Sequence, residues 1–196
     1  LDLSGETLLS EGQSVLTDLS GLDGDLGDLD PSTVTKLKLG GNTLTSLPDN
    51  IFSTFSNLKI LELDGNTVPM TFGAEVLSGL SLNELHLDSN IKITTLPSDI
   101  MRGITVKGNL VFDSIIELLP KVLEDVTVEG DLSFASNVDL QRINPSVFFK
   151  LTVLGDVDFG DTTSLTRLPW HMFDSANIEG EIRFNSSGII DFITND

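Results

Sequence analysis

Two apolar residues separated by one spacer residue recur along most of the chain at intervals of 22 to 25 residues. Seven copies begin at residues 37, 61, 85, 110, 132, 157 and 182, and Leu1-Asp2-Leu3 fits the same pattern. Apolar residues at alternate positions predict a short β-strand that buries one face. One such strand per interval is too sparse for a hairpin meander, whereas a fixed period of this length is typical of a solenoid. The pattern therefore predicts stacked coils whose strands form a parallel sheet.

A longer motif contains this pattern between residues 58 and 68. It reads Leu58-Lys-Ile-Leu61-Glu-Leu63-Asp-Gly-Asn66-Thr-Val68, which has the spacing LxxLxLxxNxL. The motif resembles that of the leucine-rich-repeat family, and the resemblance covers nearly the whole chain and is strongest over residues 34–97. It implies an α/β solenoid of about eight right-handed coils, with a parallel β-sheet on the concave face.

The segments between the strands belong to the convex side of the predicted coils. Leu-Pro pairs at residues 47, 96, 119 and 168 are each followed within four residues by an apolar pair. Proline can begin a helical turn because the N–H that it lacks has no partner at that position. We therefore predict short helical or irregular turns on the convex side, with their Phe and Met side chains filling the core.

An asparagine follows the first apolar residue of the pattern by five positions in four copies. These are Asn42, Asn66, Asn90 and Asn137. An amide side chain carries two donors and an acceptor, which suits it to the backbone groups that lose their partners where a coil leaves the sheet. We predict a buried asparagine ladder that is interrupted at Ile115, the equivalent position of the fourth coil.

The spacing of the repeats changes near residue 104. The apolar lead-in residue stands three positions before the strand in the earlier copies and four positions before it in the later ones. The later copies gain a glycine, at residues 108, 130, 155 and 180, which we expect to absorb the extra residue through a positive φ or a bulge. We predict a single domain over 1–196, with an atypical repeat or cap over 1–33, regular repeats over 34–103 and glycine-inserted repeats over 104–196.

Composition narrows the possible functions. Eleven basic and 30 acidic residues give a net charge of −19, and the chain has no cysteine. Such a surface should repel nucleic acids and anionic membranes, and no apolar run is long enough to insert into a bilayer. Disulfides, thiolate zinc sites and thiol catalysis are excluded. His86 and His171 are isolated in the sequence and no catalytic motif accompanies them, so we do not expect an enzyme.

The outward positions of the predicted strands carry the candidate binding residues. Equivalent positions on stacked strands lie about 4.8 Å apart, so acidic residues there form columns of like charge that destabilise the sheet slightly. Solvent alone, a basic partner or Ca²⁺ could offset this repulsion. The predicted partner-binding residues on the concave face are Glu62, Asp64, His86, Asp88, Asp113, Asp131, Asp156 and Asp158.

Two weaker sites lie near the ends of the sequence. The acidic run with Asp23, Asp25, Asp28 and Asp30 is a poor match to a calcium loop and is more simply a flexible acidic turn, so calcium is a possible ligand and no other cofactor is expected. Asn185 begins the glycosylation sequon Asn-Ser-Ser, which short sequences often contain by chance.

Three functions remain open from the sequence, of which a calcium-dependent surface protein is the third. The first is a non-enzymatic binding or adhesion module that recognises a protein or a glycan through the acidic concave face. The second is a structural subunit that assembles head to tail into a filament, with or without the help of calcium, because the chain lacks the cysteine-rich caps common in extracellular members of the family. The resemblance and the sequon favour an extracellular or cell-surface location.

Overall fold

The computed structural model describes residues 1–3, 30–66, 70–87, 96–185 and 191–193, the last segment by its backbone alone. Within these residues every strand pairing is parallel, as the sequence predicts. The strands at the repeated apolar pattern, called front strands below, are separated by six turns of a solenoid. They are Lys36–Lys38, Ile60–Glu62, Glu84–His86, Leu110–Val111, Leu132–Ser133, Val157–Asp158 and Ile182–Arg183.

The front strands form two sheets where the sequence predicts one. The first sheet joins the three earlier strands and places Leu37 opposite Leu61, which in turn lies opposite Leu85. Asp2 forms a parallel bridge with Lys38 and adds residues 1–3 to this sheet. The second sheet joins the four later strands. Among the described residues no ladder links Glu84–His86 to Leu110–Val111, so the front sheet is divided between the third and fourth coils.

A five-stranded lead-in sheet lies immediately before the front strands in sequence. Its parallel strands are Ser81–Leu82, Thr105–Val106, Thr127–Val128, Thr152–Val153 and Asn177–Ile178. The sheet therefore begins in the third coil and continues through all the glycine-inserted repeats. Its register places Leu82 opposite Val106 and Val106 opposite Val128, so the lead-in residues of the sequence are the buried positions of this sheet.

The return side consists of turns and short strands, so the expected α/β class is not borne out, and neither is the helical form of the predicted helical or irregular convex turns. Three parallel pairs lie there: Ser46–Leu47 with Thr71–Phe72, Glu117–Leu118 with Arg142–Ile143, and Arg167–Pro169 with Asp191–Ile193. Among the described residues the one helical element is a 3₁₀ turn at Pro31–Thr33.

Left-handed residues explain why the return segments do not become helical. Asn50, Asp99, Lys121 and His171 have φ between 54° and 63°, one or two residues after a proline. An L-residue in this region interrupts a right-handed helix. The chain instead proceeds through successive short turns, such as the one in which the Phe55 N–H donates to the Phe52 carbonyl at 3.1 Å.

The core of the glycine-inserted repeats is a column of stacked aromatic rings. Phe112, Phe134, Phe159 and Phe184 stack in sequence, with centroids 5.0 to 5.3 Å apart and rings within 13° of parallel. Phe148 packs edge-on against Phe134 and Phe159, with both centroid separations at 6.2 Å. In the regular repeats the same column consists of leucine, including the buried Leu39 and Leu63.

The predicted asparagine ladder is confirmed where the structure describes it. Asn137 donates to the carbonyl of Phe134 in its own coil at 2.8 Å and to that of Phe112 in the preceding coil at 2.7 Å. Its Oδ1 accepts the N–H of Ile115 at 2.7 Å, so Asn137 serves the coil that lacks its own asparagine. Asn42 and Asn66 make the same pair of carbonyl contacts, while Asn90 lies outside the described residues.

The inserted glycines are required by close packing between coils, and the expected positive φ is not found at them. None of Gly108, Gly130, Gly155 and Gly180 has a left-handed φ. A Cβ at Gly155 would lie 2.2 Å from Oδ1 of Asp131 and 2.7 Å from the carbonyl of Gly130. The glycines therefore let neighbouring coils approach closely where the chain turns from the lead-in sheet to the front sheet.

Candidate binding face

The front face is the surface formed by the outward side chains of the front strands. Within each strand of the first sheet the central leucine is buried, and in the first two strands both flanking residues are half-buried. This alternation follows from the period of two residues in a strand. The backbone is held by the core beneath it, so the outward side chains form a fixed surface whose chemistry is set by the spacer positions.

Opposite charges are paired at the start of the front face. Lys36 Nζ lies 2.5 Å from Glu62 Oε1, and Lys38 Nζ lies 3.3 Å from Asp2 Oδ2. The hydrogen bond with Glu62 raises the pKa of Lys36 above its ordinary value. Glu62, which the sequence places in the binding face, therefore has its charge largely balanced by two lysines.

A ladder of carboxylate and amide side chains explains the acidic column at residues 131 and 156. Oδ1 of Asn109 accepts the N–H of Asp131 at 2.9 Å, and Oδ1 of Asp131 accepts the N–H of Asp156 at 2.8 Å. Asp156 repeats the contact with the N–H of Glu181 at 2.8 Å. Each carboxylate thus receives a backbone donor from the next coil, which offsets the repulsion between like charges.

Arg183 closes this acidic column at its far end. Its Nη2 lies 2.7 Å from Oδ2 of Asp156 and 3.2 Å from Oε2 of Glu181. The hydrogen bond to Glu181 and the nearby charge of Asp156 raise the pKa of Arg183. Asp158, another predicted site residue, accepts the N–H of Gly160 at 2.8 Å and so also stabilises its own turn.

A cleft of about 260 Å³ lies at the division between the two front sheets. This junction cleft is lined by Glu84, Leu85, His86, Gly108, Asn109 and Val111. Leu85 is buried, whereas Val111 is 39% exposed. His86 Nε2 lies 3.2 Å from Glu84 Oε2 at the rim. The cleft therefore combines apolar walls with a carboxylate, an imidazole and an amide.

A mismatch of one residue produces the junction cleft. The lead-in sheet places Leu82 opposite Val106, and the Gly108 N–H still donates to the Asn83 carbonyl at 2.9 Å. Leu85 follows Leu82 by three residues, but Leu110 follows Val106 by four. Because a slip of one residue turns side chains to the opposite face, the two front strands cannot continue the ladder in register with both sheets.

The remaining predicted residues have varied positions. Asp64 and Asp113 are half-buried next to the front strands. Asp30 caps the 3₁₀ turn by accepting the Ser32 hydroxyl and N–H, and these hydrogen bonds lower the pKa of Asp30. Asn185 is exposed, and glycosylation there stays a prediction. The predicted residues that lie outside the described part of the chain are Asp23, Asp25, Asp28 and Asp88.

The described part of the chain offers neither a metal cluster nor a membrane-spanning helix. It contains no group of three or more His, Asp or Glu side chains placed to hold a metal ion. It also contains no helix with the length and apolar character needed to span a bilayer. His171 pairs with Asp174 on the return side, with Nδ1 and Oδ2 2.8 Å apart, so the two histidines serve separate surfaces.

Sequence reasoning missed three residues of the junction cleft as site residues. Glu84, Asn109 and Val111 stand in the predicted outward columns, but no motif distinguishes them from their neighbours. The signal that could have found them is the change in lead-in spacing between Leu85 and Leu110. That change predicts where two ladders of different register must meet.

Comparison with known proteins covers the first part of the solenoid. Residues 32–103 match a family model described as leucine rich repeat. No curated protein matches the chain. The matched residues contain the first front sheet and end five residues before Gly108, so the junction cleft lies at the boundary between the matched repeats and the glycine-inserted ones.

Proposed function

Because this chain is a leucine-rich-repeat protein, we propose that it is a non-enzymatic module that binds a protein partner through its front face. The family is generally a binding scaffold without catalytic activity, and its domains typically bind proteins. The front face with its junction cleft is the observation that carries the proposal for this chain. It offers a broad surface on one side of the solenoid, with a recess near its centre.

The rigidity of the front strands supports this proposal. The side chains beneath them, including Leu61 and Leu132, are completely buried, and the Asn66 and Asn137 amides tie each coil to the preceding one. A preorganised surface loses little conformational freedom when a partner binds. The cost of ordering is therefore already met in the free protein, and more of the contact energy contributes to affinity.

The charge of the protein supports a basic partner. A net charge of −19 attracts cationic proteins over a distance of about 10 Å at moderate salt. Glu62 and Asp156 already face a lysine and an arginine. We therefore propose that the overall field accelerates association, whereas specificity resides in the side chains of the central cleft.

A cross-linking experiment tests the location of the binding surface. The chain has no cysteine, so Val111→Cys can be labelled at a single site with a photoreactive maleimide. Val138→Cys is the matched control, because Val138 is also an exposed valine but lies on the turn after Asn137. After illumination in an extract of the source organism, we expect one protein to be captured reproducibly from position 111 and not from position 138. Equal capture from both positions, or capture from neither, would contradict the proposal.

Glycan binding and head-to-tail assembly remain predictions of the sequence. An extracellular location and calcium dependence are likewise predictions of the sequence. Glycan arrays probed with the labelled Val111→Cys protein distinguish a glycan ligand from a protein ligand. Light scattering over increasing protein concentration, with and without calcium, tests assembly, since a filament requires particle mass to grow with concentration.

A further inference from the structure

We propose that the junction cleft receives one lysine or arginine side chain of the bound protein, with its aliphatic stem against Val111 and its charge at Glu84. This inference rests on the proposed function, because it specifies the chemistry that the front face recognises. It is carried by the size of the cleft, its apolar walls, and the position of the Glu84 carboxylate at its rim.

The size of the cleft suits a single side chain. Sites for whole small molecules usually enclose about 300 to 1,000 Å³ and bury most of the ligand. The junction cleft encloses about 260 Å³ and is open to solvent along the front face. A long side chain that enters from a partner laid across the front strands fits this space.

The walls of the cleft match the stem of a basic residue. Val111 is 39% exposed and offers its isopropyl group to the cleft, whereas Leu85, the central residue of its strand, is only 5% exposed. Lysine and arginine commonly bury their methylene groups along such apolar surface while the charged end remains near water. Covering Val111 would remove from solvent one of the large apolar side chains that the protein leaves exposed.

The rim supplies the complementary charge. The Glu84 side chain is 53% exposed, and a carboxylate has about four acceptor positions, of which His86 Nε2 occupies one. By contrast, the Glu62 carboxylate already contacts the ammonium groups of Lys36 and Lys38. Glu84 is therefore better placed than Glu62 to accept a new cation, although Lys36 also interacts with its charge at longer range.

The strength of a partly exposed ion pair limits what the Glu84 charge can contribute to affinity. A partly exposed ion pair is worth up to about 1 kcal/mol, which corresponds to about a fivefold change in affinity. The apolar walls favour any long side chain, and Glu84 then selects the basic ones. An acidic side chain meets both Glu84 and the net charge of −19, so we expect it to be excluded.

Amide titrations by NMR test this inference on the intact protein. The probes are the N-acetyl amides of lysine, arginine, norleucine and glutamate. Molecules of this size bind a good site with a Kd of about 1 mM, which chemical-shift titrations can measure. We expect lysine and arginine amides to shift the backbone signals of His86, Asn109 and Val111, and to bind about fivefold more tightly than norleucine amide.

Two variants separate the rim charge from general electrostatics. Glu84→Gln keeps the shape of the rim and should reduce the affinity for lysine amide to that for norleucine amide. Glu129→Gln, which removes an exposed glutamate at the end of a lead-in strand, should leave the affinity unchanged. Equal loss in both variants would show that only the net charge matters, and would overturn the inference.

The remaining outcomes are also decisive. Equal binding of lysine and norleucine amides to the wild-type protein would assign the cleft to an apolar side chain. Shifts with glutamate amide, or no shifts with any probe, would overturn the inference as well. Signal broadening with protein concentration alone would indicate that a second copy of this chain fills the cleft. Because cross-linking from position 111 does not depend on these probes, the front face can bind a protein even if this inference fails.

Discussion

The regular repeats and the glycine-inserted repeats form the same coil with different side chains. In the regular repeats the column beneath the second position of the front pattern is leucine, and the left-handed residue before the ladder asparagine is Gly41 or Gly65. In the later repeats the column is stacked phenylalanine, and the left-handed residue is Ser114, Ser136 or Asp161. The same backbone path of the coil thus accommodates different core and turn residues, provided that buried polar groups are hydrogen-bonded and adjacent coils remain in register.

The two sets are incompatible in one respect. The lead-in sheet and the front sheet are separated by one more residue in the later set, so each set forms its own continuous front ladder. Where the sets meet, one of the two ladders must break, and the lead-in ladder is the one that continues. The comparison shows that each spacing supports a continuous front ladder within its own set of repeats. A cleft forms where repeats with the two spacings meet.

The largest expected effect comes from breaking the aromatic column. Phe134→Ala removes a ring that contacts Phe112, Phe148 and Phe159, and it should destabilise the protein by about 4 kcal/mol through lost contacts and a cavity. Phe134→Leu introduces the residue of the regular repeats and should cost clearly less. Urea denaturation followed by circular dichroism measures both. Equal losses would mean that the ring stack itself, more than the filled volume, stabilises the later repeats.

The next effect compares two asparagines of the ladder. Asn137→Ala leaves two buried carbonyls and the N–H of Ile115 without their partner, and should cost about 3 kcal/mol. Asn66→Ala should cost about 1 kcal/mol less, because the contact from the Leu44 N–H to Asn66 Oδ1 is already long at 3.5 Å. A larger loss at Asn66 in the same denaturation assay would contradict the idea that Asn137 also serves the coil of Ile115.

A third comparison concerns the two uses of glycine. Gly155→Ala places a methyl group against Asp131 and the Gly130 backbone, and should cost about 2 kcal/mol. Gly65→Ala has its nearest neighbour at 3.5 Å and is opposed by its φ of 67°, so it should cost about 1 kcal/mol. Gly65→Asn should recover part of that loss, whereas Gly155→Asn should not, because asparagine tolerates the left-handed region but still has a Cβ. Recovery at both positions would contradict the distinction between Gly155, which close packing requires, and Gly65, which its left-handed φ requires.

The smallest effect tests the left-handed residue of the later repeats. Ser136 has a φ of 64° in the position that Gly41 and Gly65 occupy in the regular repeats. Ser136→Gly should relieve the strain of the left-handed region and raise stability by about 0.5 kcal/mol, since greater freedom of the unfolded chain offsets part of the gain. A rise in the thermal midpoint checks this. A fall would indicate that the Ser136 side chain stabilises its turn.

Much of the fold could be predicted from apolar spacing, and the errors have physical causes. The alternation at Leu37 or Leu61 dictates a strand, and the asparagine spacing dictates a ladder, because both depend on local geometry that each repeat shares. The predicted helical turns failed because Asn50 and Lys121 adopt left-handed conformations, which are uncommon for residues other than glycine. Apolar spacing contains no signal for this choice.

The candidate site was less predictable than the fold. The sequence identifies the outward columns, and His86 does line the cleft. It did not anticipate that Asp131 and Asp156 would accept backbone N–H groups, since that contact depends on how closely the glycine coils approach. Nor did it select Glu84 or Val111, because the cleft arises from pairing between strands that are distant in sequence. The identity of each spacer residue can be read from the sequence, whereas the cleft depends on how the two front sheets meet.

The divided front sheet also has a consequence for folding. In a repeat protein, stability is close to the sum of the coils and of the coupling between neighbours. Among the described residues, the coupling between the third and fourth coils comes from the core, from the pairing of Ser81–Leu82 with Thr105–Val106, and from return-side bonds such as the one from the Leu77 N–H to the Ile100 carbonyl, without the front ladder that links the other coils. We expect this interface to be the weakest, so that the solenoid unfolds as two cooperative units. Native-state hydrogen exchange measures this directly, since amides on either side should then exchange with two distinct opening free energies.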